Sequence, residues 1–262
     1  VSWLASIVER KRAEVAAAKE ELPVGGLESR LAGLAACRPL AATLSDPGGP
    51  TCVIGEIKRA SPSAGVIDDD LDAAALAGSY AGHGASAISV LTDTVGFGGT
   101  LEDLRAVRRR VDVPVLRKDF IVDPYQLVEA RLAGADAVLL IAAALPAGEL
   151  ADLHDAARAL GLEALVEAHD EDEVELALGI GGCRLIGLNS RDLATFEVDL
   201  ATVERLSPLV GPGVAVVAES GIHTAADVAR LRRAGIANFL VGEALVRAPD
   251  PGALLGEFLG VR

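Results

Sequence analysis

Residues 113–141 read VPVLRKDFIVDPYQLVEARLAGADAVLLI, and their order of patterns decides the fold. An apolar run ends at Lys118. After a short loop, Asp123 and Pro124 supply an N-cap and a first-turn proline, so a helix is predicted from residue 124 to about 133. A second apolar run, 137–141, follows at once. This is strand, helix, strand with no room for a hairpin, the signature of a parallel βαβ unit.

The same rhythm extends in both directions. Strands are predicted near 51–58, 87–91, 113–118, 137–141, 163–167, 184–189, 214–219 and 238–241. Helices are predicted near 71–82, 100–110, 124–133, 147–160, 171–178, 200–206, 224–234 and 251–259. Eight such units in roughly 210 residues match an α/β chain folded as a (β/α)8 TIM barrel, whose usual size is about 250 residues. An open doubly wound sheet is the competitor, but no GxGxxG turn follows the first strand and no GxxxxGK[ST] occurs. The chain is therefore read as a single barrel domain over 1–262, with 1–50 as a helical extension and loop covering one end. In that extension residues 2–20 form an amphipathic helix, with Trp3, Ile7, Val8 and Val15 opposite Glu9, Lys11, Arg12 and Glu14. A second helical stretch is expected near Leu27–Ala36, and SDPGGP (45–50) marks a loop.

Composition narrows the partners. Half of the 262 residues are hydrophobic (51%), enough for a large core. A formal charge of −14 argues against nucleic acid or an anionic membrane as a main partner. Cys37, Cys52 and Cys183 are odd in number, far apart and without a CxxC pair, which points to neither a zinc site nor a disulfide framework. The opening VSWLASIVERKRAEV carries charges where a signal peptide would be apolar, and the apolar stretch Ala137–Pro146 is far short of the ~20 residues that span a bilayer. A cytoplasmic protein, monomeric or a weak homo-oligomer, is expected.

Barrels of this kind place their chemistry at the C-terminal strand ends. There the sequence puts Glu56 and Lys58 on strand one, Lys118 on strand three and Glu167 on strand five. Asn189 ends strand six with Arg191 beyond it, and Glu219-Ser220-Gly221 ends strand seven. Residues two apart on a strand share a face, so Leu116, Leu165, Gly187 and Val217 lie below these groups on inward-facing rows. Charges converging on one mouth must pair and shift one another's pKa values. Phe97, Phe120 and Phe196 fall just past strand ends on the same side, which suits a ligand with an aromatic and an anionic part. Gly221 and Gly242 follow strands seven and eight, where barrels often bind phosphate, and Glu243–Val246 reads as the short extra helix of such a site.

Weaker candidates are set aside. His83, His154, His169 and His223 lack ligand spacing and are expected in surface or capping roles. Asp68-Asp69-Asp70 precedes a helix, where acidic residues favour the dipole, and no metal site is assigned. Cys52 and Cys183 read as small core residues. Ser61 or Ser63 as a nucleophile lacks a placed histidine.

With these residues in view, the chain resembles the indole-3-glycerol phosphate synthase family. The matching segments are IGEIKRASPSAG, SVLTD, LRKDFIVDPYQL, ADAVLLI, LVEAHD, IGLNSRDL, VAESGI and FLVGEAL, in order between residues 54 and 245. The resemblance implies a carboxy-lyase of tryptophan biosynthesis, working without metal or organic cofactor. Its phosphorylated small-molecule substrate would be 1-(2-carboxyphenylamino)-1-deoxyribulose 5-phosphate. By the same resemblance, Lys118 is the general acid of ring closure and Glu167 moves the proton of dehydration. Lys58 binds the substrate carboxylate or acts as a second acid, and which lysine serves which step stays open. Glu56 and Asn189 orient these groups, and Glu219 meets the sugar hydroxyls. Arg191 offers a fork to the anionic groups; Ser61, Gly221 and Gly242 belong to the phosphate side; Ser220 and Glu243 join the substrate-binding residues, Glu243 through its backbone N–H; Phe97, Phe120 and Leu139 match the apolar pocket for the aromatic ring. Two positions depart from the family's usual pattern: Glu243, where members often carry serine, and Gly96, where many carry an aromatic residue. The rival readings are a Schiff-base aldolase on the same barrel, using Lys58 or Lys118, and a catalytically silent phosphate-binding subunit.

Overall fold

The computed structural model describes residues 3–261. Eight parallel strands close into a barrel: β1 Cys52–Ile57, β2 Ala87–Leu91, β3 Val115–Lys118, β4 Ala137–Ile141, β5 Glu163–Ala168, β6 Leu185–Asn189, β7 Ala215–Glu219 and β8 Asn238–Val241. Sequential strands are neighbours, and β1 closes the ring by pairing with both β2 and β8. The helices expected between strands are present, each within two residues of its anticipated ends.

Local chemistry starts these helices. Asp72, Thr100, Asp123, Asp170, Asp199, Thr224 and Asp250 each accept a backbone N–H of the first turn through the side chain. Such caps contribute about 0.5–2 kcal/mol apiece. The strands then sort their side chains by the period of two. Ile54, Leu116, Leu139, Leu165, Val217 and Leu240 fill the barrel interior. Val53, Val90, Val115, Val138 and Val166 face the surrounding helices in a second, larger core.

The N-terminal extension departs from expectation in three ways. It serves both ends of the barrel, not one. The helix Trp3–Glu21 lies at the rim of the C-terminal mouth, where Leu4 and Ile7 join the interior core. Farther on, Leu40 is fully buried at the opposite end, and the chain around it is tied to polar residues at the strand starts. Ala41 N–H donates to Glu163 at 2.8 Å and Ser45 N–H to Asn238 Oδ1 at 2.7 Å. The second helix is only Val24–Glu28; Leu31–Ala36 is turn and coil, because Gly33 sits at φ +80° and ends any helical run. Lys11, assigned to the solvent face, is 5% exposed. Its ammonium lies 2.7 Å from Asp93 and 2.9 Å from Asp119, so burial is matched by two carboxylates. The expected helix start at Ser2 lies outside the described residues.

Candidate active site

Every residue singled out at the strand ends lines one cavity at the C-terminal mouth. At its floor Lys118 Nζ, projecting from the last residue of β3, donates to Glu167 Oε2 at 3.0 Å and stands 3.0 Å from Glu219 Oε2. Both carboxylates are almost wholly buried. Burial pulls the Lys118 pKa down, but the charges of Glu167, Glu219 and Glu56 outweigh it and hold it well above the ordinary lysine range. Burial likewise opposes the Glu167 carboxylate, yet Lys118 and His169 carry its pKa far below the usual value. Glu219 moves the other way: burial and the Glu167 charge push it up to about 8 against the pull of Lys118. Of the two carboxyl groups, Glu219 is therefore the one that takes up a proton more readily. Glycine at 187 makes this possible, since a Cβ there would overlap Glu219 Oε1.

Across the mouth Lys58 Nζ pairs with Glu56 Oε1 at 2.8 Å, the pairing that their spacing along β1 anticipates. Asn189 Oδ1 accepts the Arg191 N–H at 3.0 Å, and Arg191 Nη1 donates to the Phe196 carbonyl at 3.0 Å. Ser220 and Phe196 have φ of 63° and 62°, and among the described residues they alone of the non-glycines lie in the left-handed region. Strain of this kind costs on the order of 1–3 kcal/mol and gathers at functional sites.

The apolar side of the cavity holds Phe97, Phe120 and Leu139 as expected, joined by Trp3 of the extension. Trp3 packs edge-on against Phe196 at 5.1 Å and against Phe120 at 6.0 Å. Ser61, Ser220, Gly221, Gly242 and Glu243 line the same cavity. Ser61 Oγ accepts the Ala64 N–H at 3.1 Å, which folds the loop after β1 back on itself. Glu243 opens the short helix Glu243–Arg247, and its Oε1 accepts from Arg247 Nε at 3.0 Å.

A cavity with one aromatic wall, paired ammonium and carboxylate groups, and a glycine-flanked rim agrees with the comparisons. The indole-3-glycerol phosphate synthase family model matches residues 4–258. The indole-3-glycerol phosphate synthase of Desulfosudis oleivorans is 47% identical over 258 residues, covering 98% of each chain. That of Nocardioides sp. is 56% identical over 209 residues, covering 80% of each.

The chain belongs to the indole-3-glycerol phosphate synthase family.

Members of that family are carboxy-lyases of tryptophan biosynthesis. More distant solved structures share the barrel alone. A 3-hexulose-6-phosphate synthase aligns at TM-score 0.62 and 21% identity over 80% of this chain and 99% of its own. The tryptophan synthase alpha subunit of Legionella pneumophila aligns at 0.56 and 17% over 80% and 92%. Among the described residues no helix is long and apolar enough to cross a membrane.

Sequence reasoning missed Trp3, His169 and His223 at this mouth. Trp3 was assigned only to an amphipathic face. His169 was given a surface or capping role, but its Nε2 lies 3.3 Å from Glu167 Oε1 inside the charge cluster. The spacing that linked Glu56 to Lys58 also links Glu167 to His169, and that was the available signal. His83 sits at a helix end, its Nδ1 2.8 Å from the Ser79 carbonyl, whereas His223, whose backbone N–H donates to Asp227 ahead of its helix, also lines the cavity. His154 is instead buried on its helix. Cys52 is buried and Cys183 half-buried, and Asp68 Oδ1 accepts the Asp70 N–H just ahead of the Asp72 cap.

Proposed function

We propose that this chain converts 1-(2-carboxyphenylamino)-1-deoxyribulose 5-phosphate into indole-3-glycerol phosphate by the following division of labour. The aryl ring lies against Phe97, Phe120 and Leu139, with Lys58 meeting its carboxylate or serving as a second acid. Lys118 donates toward the ketone oxygen as the aryl carbon attacks, so that charge developing on that oxygen meets an ammonium in a water-poor pocket. Loss of carbon dioxide restores aromaticity to the carbocycle. Glu167 then moves the proton as the hydroxyl leaves. Glu56 and Asn189 orient Lys58 and Arg191, Glu219 meets the sugar hydroxyls, and Arg191 faces the anionic groups. The phosphate lies toward Ser61, Ser220, Gly221, Gly242 and the N–H of Glu243.

The observation that carries this reading is the placement of Lys118 within 3.0 Å of two carboxylates of opposite protonation preference, beneath an aromatic wall. An acid and a base set side by side suit a reaction that first protonates a carbonyl and later expels water. The same pairing disfavours a Schiff-base aldolase, because an amine so firmly protonated is a poor nucleophile. The reading treats residues 1–50 as an extension of one catalytic unit, acting in the cytoplasm as a monomer or weak homo-oligomer. The test is direct: the purified chain, given the carboxyphenylamino substrate, produces indole fluorescence with turnover, and borohydride added during turnover traps no adduct. Absence of fluorescent product, or a borohydride-stabilised adduct on Lys58 or Lys118, contradicts it.

A further inference from the structure

His169 stands between two carboxylates. Its Nε2 lies 3.3 Å from Glu167 Oε1, the carboxylate oxygen that does not accept from Lys118. Its Nδ1 lies 2.9 Å from Glu173 Oε2, and that same oxygen accepts the His169 backbone N–H at 2.8 Å. An ionised carboxylate only accepts hydrogen bonds. A ring hydrogen-bonded through Nδ1 to one carboxylate, with a second carboxylate oxygen 3.3 Å from Nε2, is favoured electrostatically in the form in which both nitrogens carry a proton. Glu173 belongs to the first turn of the helix Glu171–Gly179, so the packing of that helix against β5 fixes the orientation of the ring.

We propose that His169 is a positioning residue held as an imidazolium by Glu173, whose charge keeps Glu167 ionised. The inference rests on the functional reading above and adds to it a cause for the unequal roles of the two carboxylates. Charge balance supports it. With Glu219 protonated, Lys118 balances Glu167 and His169 balances Glu173, so the buried cluster is neutral. Without the imidazolium the same cluster would hold an excess negative charge in a dry site, and Glu167 would recover a proton. The groups facing the ring are Glu167 from β5, Glu173 from its helix and Asp192 from the loop after β6, with Lys118 and Glu219 behind Glu167. Burial disfavours the imidazolium, but Glu167 and Glu173 overcome this and raise the ring to about 10.

Two measurements on the full-length chain test this. The first is a titration of the four histidine rings by NMR, with His169 assigned by its absence in His169→Gln. His169 is expected to remain doubly protonated through pH 8; titration of its signal near the ordinary 6.5 overturns the proposal. If His169→Gln does not fold, Glu173→Gln supplies the assignment, by shifting the His169 signal down in pH. The second is the pH profile of kcat/KM. Removing the imidazolium raises the pKa of Glu167, so the acid limb of His169→Gln moves up by on the order of one pH unit or more, the effect of losing one close opposite charge. Glu173→Gln moves it in the same direction. A uniform fall in kcat at every pH, with the limb unmoved, means that His169 merely packs, and the proposal fails. Wild-type turnover is the control for the functional reading: a wild-type chain that makes no indole product refutes that reading, while the ring titration still decides the state of His169.

Discussion

Gly242 and Glu56 leave no space for a side chain between them: a Cβ at position 242 would overlap Glu56 Oε1 and stand 3.0 Å from Lys58 Cε. The glycine after β8 thus has a role beyond the phosphate contact proposed for it. It lets the Glu56–Lys58 pair keep its 2.8 Å contact.

Gly242→Ala is therefore expected to lower kcat as well as raise KM, because the methyl group displaces Lys58, the lysine proposed to meet the substrate carboxylate or serve as a second acid. Gly242→Asp adds a charge to the same displacement and should be worse in both constants. Steady-state kinetics decides: a change confined to KM would mean that residue 242 touches only the phosphate.

Glu243 is the departure from the family pattern that looks most damaging, yet its carboxylate is turned along its helix to Arg247 at 3.0 Å. The backbone N–H, not the side chain, is what the phosphate would meet. Glu243→Ser should change KM by less than about threefold, well below the tenfold that 1.4 kcal/mol produces. Tenfold tighter binding in the variant would place the carboxylate against the phosphate.

Asp119 couples the extension to the catalytic strand. Burial opposes its ionisation, but Arg117 and Lys11 outweigh this and lower its pKa to about 2. In the unfolded chain an aspartate titrates near ~3.9. The unfolded state thus takes up the proton first. The stabilisation is fully present above about pH 4 and is lost as pH falls through about 2. Urea midpoints measured across that window should fall more steeply for wild type than for Asp119→Asn; parallel curves would show that Asp119 is not the titrating group.

The order of strands and helices was legible because fully buried parallel strands are continuous apolar runs, and because Asp or Thr caps mark where each helix starts. The site was legible for a related reason: period-two spacing and the strand-end rule together aim Glu56, Lys118, Glu167 and Glu219 at one point. What escaped depends on partners distant in sequence. Nothing local to Lys11 announces Asp93 and Asp119, so a lysine on a helix reads as solvated. Trp3 joins the aromatic wall only because the extension folds over the rim against Phe120 and Phe196. The proposed second helix failed for a local cause, the turn at Gly33.

Glu167→Gln keeps the shape of the side chain and removes its charge, and Lys118 then loses the carboxylate that accepts its hydrogen bond at 3.0 Å. The dehydration half of the reaction should slow while substrate binding is largely kept, so kcat falls with little change in KM. Rapid-mixing kinetics that show full-speed dehydration, or a loss confined to KM, would remove Glu167 from that step.

The most direct test of the account is the turnover of Lys118→Ala, followed by indole fluorescence at saturating substrate, with circular dichroism to confirm the fold. Loss of a general acid of this kind is worth at least about 10²-fold, so the variant should retain under about one hundredth of wild-type kcat. A well-folded Lys118→Ala chain that keeps more than a tenth of wild-type turnover would contradict the central role given to Lys118.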